Sequence, residues 1–279
     1  MLKARLISAA ILVPLVVYGV LNLSTEIFSL LLGGVLLAGA WEWSRLVPLQ
    51  SLSARFAYTA VIAGLMGLCW QLGLAQLISP LLLAGVAWWL VALFWLSRPQ
   101  LGIPTSLLSV NLKMLAGMLV ILPAWAALTS LHAHGSGGGP KLVLMLLVMV
   151  WLADSGAYFA GRQWGRTRLA PVVSPGKTWE GVYGGLLASL VFAGIAGGLY
   201  SGSLKWTLTF MLVSVTAVLF SVAGDLLESL MKRQSGIKDS GSIIPGHGGI
   251  LDRVDSMLAA APMFLIGVRW LGLYCCPRC

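Results

Sequence analysis

The chain has 279 residues, 58% of them hydrophobic and 10% charged, with a mean hydropathy of +0.91. A soluble globular domain carries roughly 25% charged residues, so a water-soluble protein is excluded and a single integral membrane domain is expected over 1–279. The formal charge of +9 suits basic loops lying against an anionic leaflet better than nucleic acid, although an anionic substrate remains compatible with it.

The uncharged runs predict an all-α, polytopic bundle of about nine transmembrane helices at 6–23, 27–46, 57–78, 81–96, 114–131, 142–161, 182–200, 206–231 and 257–273. The first run has a basic head like a signal peptide. It nevertheless stays uncharged from Leu6 to Thr25, long enough to span, and is read as a helix. The uncharged stretch 56–97 is too long for one span, and Pro80 in "LISP" is the expected break. Pro14, Pro123 and Pro262 fall within spans, which a bundle tolerates. The loop "HAHGSGGGP" from His132 reads as flexible and solvated. Cys275, Cys276 and Cys279 crowd the C-terminus without a second cysteine cluster, which makes a zinc site a poor reading.

Nine spans assign every loop to one of two sides. With the N-terminus inside, only Lys141, Lys205, Arg269 and Arg278 of the 18 basic residues fall outside, and Glu26 is the only acid there. That asymmetry predicts an N-inside, C-outside topology, with N-terminal spans in 1–140 and the catalytic spans and cytoplasmic loops in 141–279.

Three stretches place acids at the inner ends of spans: "WLADSGAYFAGRQWG", "SPGKTWEGVYGG" and residues 224–256. Ionisable groups at membrane depth are costly and are functional candidates by default. In "AGDLLESLMKR" Asp225, Ser229 and Lys232 follow at i, i+4 and i+7 of one helix, with Glu228 beside them. A Gly- and Pro-broken loop follows, then "ILDRVDS" opens the last span with Asp252 and Asp255 one turn apart. Carboxylate oxygens suit Mg²⁺, so Asp225, Asp252 and Asp255 are the expected metal ligands. Lys232, Arg233, Lys238 and Arg253 are expected on phosphate, and Gly248 and Gly249 are expected to let backbone N–H groups approach a ligand. His247 has no ligand partner nearby and is assigned a hydrogen-bonding role. The G-K-T of "SPGKTWEG" is not a P-loop, because Pro171 stands where the first glycine belongs. Lys177, flanked by Ser174, Gly176 and Thr178, is still a phosphate candidate, while Asp154 is equally a site residue or a buried structural one.

At these residues the chain resembles the phosphatidate cytidylyltransferases, or CDP-diacylglycerol synthases. Their signature is matched by Ser229, Lys232, Arg233, Lys238, Asp239, His247, Gly248, Gly249, Asp252, Arg253 and Asp255. "SPGKTWEG" and "ADSGAY" look like further family blocks, whereas the first half matches only as a set of spans. The resemblance implies a Mg²⁺-dependent reaction of CTP with phosphatidate giving CDP-diacylglycerol and pyrophosphate, in phospholipid biosynthesis. It implies catalytic roles for Asp225, Asp252, Lys232 and Lys238. Ser174, Lys177, Ser229, Arg233, His247, Gly248, Gly249 and Arg253 would bind substrate, and K⁺ is the candidate for a second, monovalent cation. Expected partners are CTP, phosphatidate and membrane lipids, with no nucleic acid and a homodimer left open. A bacterial inner membrane with a cytoplasmic active site is the expected location.

Two rival readings differ in kind. A CTP-dependent lipid kinase would transfer the γ-phosphoryl group and release CDP. A transporter would place ionisable groups deep within several spans, together with broken helices in matching positions, but this sequence gathers them at one side.

Overall fold

The computed structural model describes residues 2–47, 49, 51–102, 106–135, 138–241, 243 and 248–274. His247, Cys275, Cys276 and Cys279 lie outside the described residues. Nine helices run through the described residues: α1 (Leu2–Asn22), α2 (Thr25–Leu46), α3 (Leu52–Gln71), α4 (Leu74–Ser97), α5 (Leu107–His132), α6 (Gly138–Trp164), α7 (Trp179–Ser201), α8 (Leu204–Gln234) and α9 (Leu251–Trp270). Seven of them, α2 to α8, are long and apolar enough to cross a membrane. Hydroxyl side chains start several helices: Ser24, Ser51, Ser106, Thr178 and Ser203 each accept a first-turn N–H.

One expectation is corrected. The break between the third and fourth helices lies at Gly73, whose φ is +88°, and Pro80 is carried inside α4. Proline removes one helical N–H bond but leaves the helix continuous, whereas the backbone at Gly73 takes a conformation other residues avoid. The fold is all-helical as expected, apart from one insertion. Between α6 and α7 a short antiparallel hairpin forms from β1 (Arg168–Ala170) and β2 (Ser174–Thr178), pairing Arg168 with Thr178 and Ala170 with Ser174.

The innermost helices are α5 and α9. In α9 the run from Ser256 to Leu265 is buried on every side, so this helix can carry four charges and still sit within the bundle. Outward faces are apolar in stripes. On α7 Leu187, Val191, Ile195 and Leu199 are all exposed and recur every fourth residue, an outer surface suited to lipid. The buried residues of α7, Gly181, Val182, Gly185, Ser189, Ala193, Gly197 and Ser201, are nearly all small, and α7 packs on α6 more extensively than any other helix pair does. A Cβ at Gly184 would run into the Ala160 methyl and lie 2.8 Å from the Gly156 carbonyl, so the backbones meet directly, as small-residue interfaces allow.

α8 is longer than a membrane requires. Its 31 residues rise about 46 Å at 1.5 Å each, against a hydrocarbon core of about 30 Å. The surplus is the polar end from Asp225 to Gln234, which projects beyond the apolar part of the helix.

Gly184→Leu should therefore unseat α7 from α6, at a cost of about 1–3 kcal/mol or more. Gly34→Leu, where a Cβ would meet nothing within 4 Å, should melt like the parent. Thermal unfolding followed by size-exclusion chromatography in detergent checks the contrast.

Candidate active site

The site is assembled at the end of α8 where α9 crosses it. A Cβ at Gly224 would lie 2.5 Å from the Asp255 carbonyl oxygen, so the missing side chain lets the two helices touch. Asp225 is thereby set beside the first turns of α9. Along α8 the expected face is present. Ser229 Oγ donates to Asp225 Oδ1 at 3.3 Å, and one turn on Lys232 Nζ donates to Glu228 Oε2 at 3.1 Å and to Asp252 Oδ1 at 2.6 Å. Lys232 thus joins α8 to α9 through two carboxylates that are themselves nearly buried.

The hairpin brings the second lysine. Thr178 ends β2 and caps α7, its hydroxyl accepting the Gly181 N–H at 3.1 Å. Lys177, one residue earlier, reaches Asp225 Oδ2 at 2.5 Å. Arg233 Nε donates to the Val173 carbonyl at 3.4 Å, tying the hairpin turn to α8. Ser174 sits in the hairpin and pairs with Ala170. A cavity of about 420 Å³ opens here, lined by Asp154, Tyr158, Arg162, Lys177, Thr178 and Asp225 among others. Asp154, left undecided from sequence, faces this cavity.

Asp252 is the most heavily bonded of the three aspartates. Besides Lys232 it accepts, on Oδ2, the N–H groups of Ser240 at 3.1 Å and Gly249 at 2.9 Å. Gly249 thus gives its N–H to Asp252, and Gly248 lies against the same carboxylate. Gly248 has φ +83°. A Cβ on Gly249 would collide with Ser240 Oγ and lie 2.5 Å from Glu42 Oε2. Lys238, Arg233 and Arg253 are exposed around the end of the site.

The expected grouping of Asp225, Asp252 and Asp255 around one ion is not preformed. Among the described residues no three acidic, histidine or cysteine side chains are gathered to hold a metal. Asp225 engages Lys177, Asp252 engages Lys232, and Asp255 Oδ1 accepts the Ser256 N–H at 2.7 Å. The donor chemistry nevertheless fits a hard cation. An ionised carboxylate has about four acceptor positions, so each of the three retains capacity beyond these contacts. Glu228 Oε1 is buried with no hydrogen-bond partner. Sequence reasoning gave Glu228 no role and overlooked Glu42, because neither showed which buried partner it would meet.

The two lysines should separate on mutation. Lys232→Met leaves Glu228 and Asp252 without their cation in a nearly buried position, which should lower stability by about 3–5 kcal/mol together with activity. Lys177 and Asp225 are more open, with side chains 26% and 34% exposed, so Lys177→Met should change stability by about 0–1 kcal/mol while removing activity. Melting temperature and turnover measured on both variants test this.

Comparison with known proteins bears on which chemistry such a site performs. The model of the family described as the Cytidylyltransferase family matches residues 3–271. A phosphatidate cytidylyltransferase of Pseudomonas aeruginosa is 44% identical over 271 residues, covering 95% of this chain and 96% of its own. One from Haemophilus influenzae is 38% identical over 292 residues, covering 95% and 97%. One from Staphylococcus epidermidis is 43% identical over 129 residues, covering 46% and 49%. With a family model spanning nearly its full length and relatives that align end to end, this chain belongs to the cytidylyltransferase family and is a nucleotidyltransferase.

Proposed function

We propose that the chain transfers the cytidylyl group of CTP to phosphatidate, giving CDP-diacylglycerol and pyrophosphate for phospholipid biosynthesis. The observation that carries the reading is the Lys177–Asp225 pair in the wall of the cavity, in a chain whose full-length relatives bear the name phosphatidate cytidylyltransferase. A phosphate-monoester oxygen of the lipid attacks the α-phosphorus of CTP. The bond from that phosphorus to the bridging oxygen of the β-phosphate breaks, and its electron pair leaves with pyrophosphate. A phosphate monoester is already nucleophilic at neutral pH, so the protein's task is to bring two polyanions together and align them.

Lys177 is placed to meet phosphate when it leaves Asp225, and exposed Lys238, Arg233 and Arg253 supply further positive charge at the mouth. Lys232 stays fixed between Glu228 and Asp252. Ser174 and Ser229 border this path as hydroxyl donors, and His247 is assigned to substrate with them. Asp225, Asp252 and Asp255 would hold Mg²⁺, which would neutralise phosphate charge, with K⁺ as a second cation. The apolar faces of α6 and α7 beside the cavity, where Tyr158, Phe159 and Tyr183 are exposed, suit acyl chains that stay in the bilayer while the headgroup reaches Lys177.

The basic residues gathered on one side support an N-inside, C-outside topology with nine spans, in a bacterial inner membrane and with the site toward the cytoplasm, where CTP is found.

With purified protein in detergent, cytidine-labelled CTP and phosphatidate should give CDP-diacylglycerol and pyrophosphate in equal amounts. EDTA should abolish this and Mg²⁺ restore it. Asp225→Asn should lower kcat by about 10²–10³-fold with its melting temperature retained. Release of CDP with a phosphorylated lipid would instead identify a kinase. For the topology, single cysteines at Asp239→Cys and Gly135→Cys in a cysteine-free background should be labelled from opposite faces by an impermeant maleimide, Asp239→Cys from the cytoplasmic one.

A further inference from the structure

One acidic residue of the N-terminal half is buried against the signature loop. Glu42, on α2, is 1% exposed, and its partner Ser240 is fully buried. Its carboxylate accepts Ser240 Oγ at 3.0 Å, the Ile250 N–H at 3.1 Å and the Leu251 N–H at 2.8 Å. The last two are the opening N–H groups of α9, whose own N-cap residue Ile250 provides no side-chain cap. Glu42 thus does from another helix what a capping serine or aspartate does locally, with its negative charge at the positive end of the helix. Gly241 and Gly249 close around it, since a Cβ on either would overlap the carboxylate.

These contacts continue into the site. Ser240 gives its hydroxyl to Glu42 and its N–H to Asp252. Asp252 in turn holds Lys232. Arg45, one turn beyond Glu42, donates to the Ser240 carbonyl at 3.5 Å. Both polar groups of the Ser240 backbone and its side chain are therefore committed, and the register of Asp252 against Lys232 depends on where α2 holds this loop.

We propose that Glu42 is a positioning residue for the reaction: it clamps Ser240 and residues 249–251 so that Asp252 keeps Lys232 aligned at the site, without itself touching substrate. The inference rests on the cytidylyltransferase reading for its kinetic arm and on geometry alone for its structural arm. Glutamine offers one acceptor oxygen where Glu42 uses two, so in either amide orientation Ile250 or Leu251 loses its acceptor.

Glu42→Gln is tested by amide hydrogen exchange and by turnover per folded enzyme. Exchange at 249–251 should rise at least about tenfold while α5 is unchanged. The kcat should fall about 10–100-fold, with KM for CTP shifting less than about threefold, since the residue lies away from the substrate cavity. Glu42→Asp, which keeps both oxygens on a shorter arm, should recover part of the loss. Ser240→Ala should reproduce both effects in smaller measure, and it alone decides the matter if Glu42→Gln yields no folded protein. Unchanged exchange at 249–251, or loosened exchange with wild-type kcat, would overturn the proposal, as would a loss of folded protein with normal turnover per folded molecule. A wild type inactive toward CTP and phosphatidate would refute the activity reading instead, leaving the exchange result to decide the clamp.

Discussion

A carboxylate withdrawn from water must be paired or lose its charge, and the polar end of this bundle is built around that requirement. Lys232 answers it for Glu228 and Asp252 together, and in doing so fastens α8 to α9. Asp252 then uses its other oxygen to hold the N–H groups of Ser240 and Gly249, ahead of α9. The same ion pair thus holds two helices and anchors Ser240 and Gly249.

Around this pair the apolar part of the protein works as a rigid mount. Glycine contacts bring α6 onto α7, and Gly224 brings α8 onto α9. These close approaches leave little freedom for sliding, so the hairpin between α6 and α7 is carried to a defined place over α8. Lys177 reaches Asp225 only because the strand ends at a threonine that starts the next helix.

Much of this was legible in the sequence. Helical periodicity alone put Asp225, Ser229 and Lys232 on one face, and uninterrupted apolar runs located every helix, with ends displaced by up to about two turns. The hairpin was not legible, since five residues containing proline and glycine carry no alternation that distinguishes a strand from a loop. The break at Gly73 lost to Pro80 because proline is the louder local signal, although a bundle absorbs one missing N–H more easily than a positive φ. That the glycines near His247 lie beside Asp252 and Glu42 became visible only in three dimensions. Glu42 lies 208 residues from Ile250 along the chain, and nothing in its own surroundings announces that partner.

The surplus length of α8 has a further consequence. A helix whose apolar part must match the bilayer while its polar end projects from it responds to membrane thickness by tilting. Tilt would move Asp225 and Lys232 by different amounts, because they stand at different heights on the same rod, while Lys177 rides on its neighbours α6 and α7. Any such tilt of α8 relative to α6 and α7 would change the spacing of the two lysines.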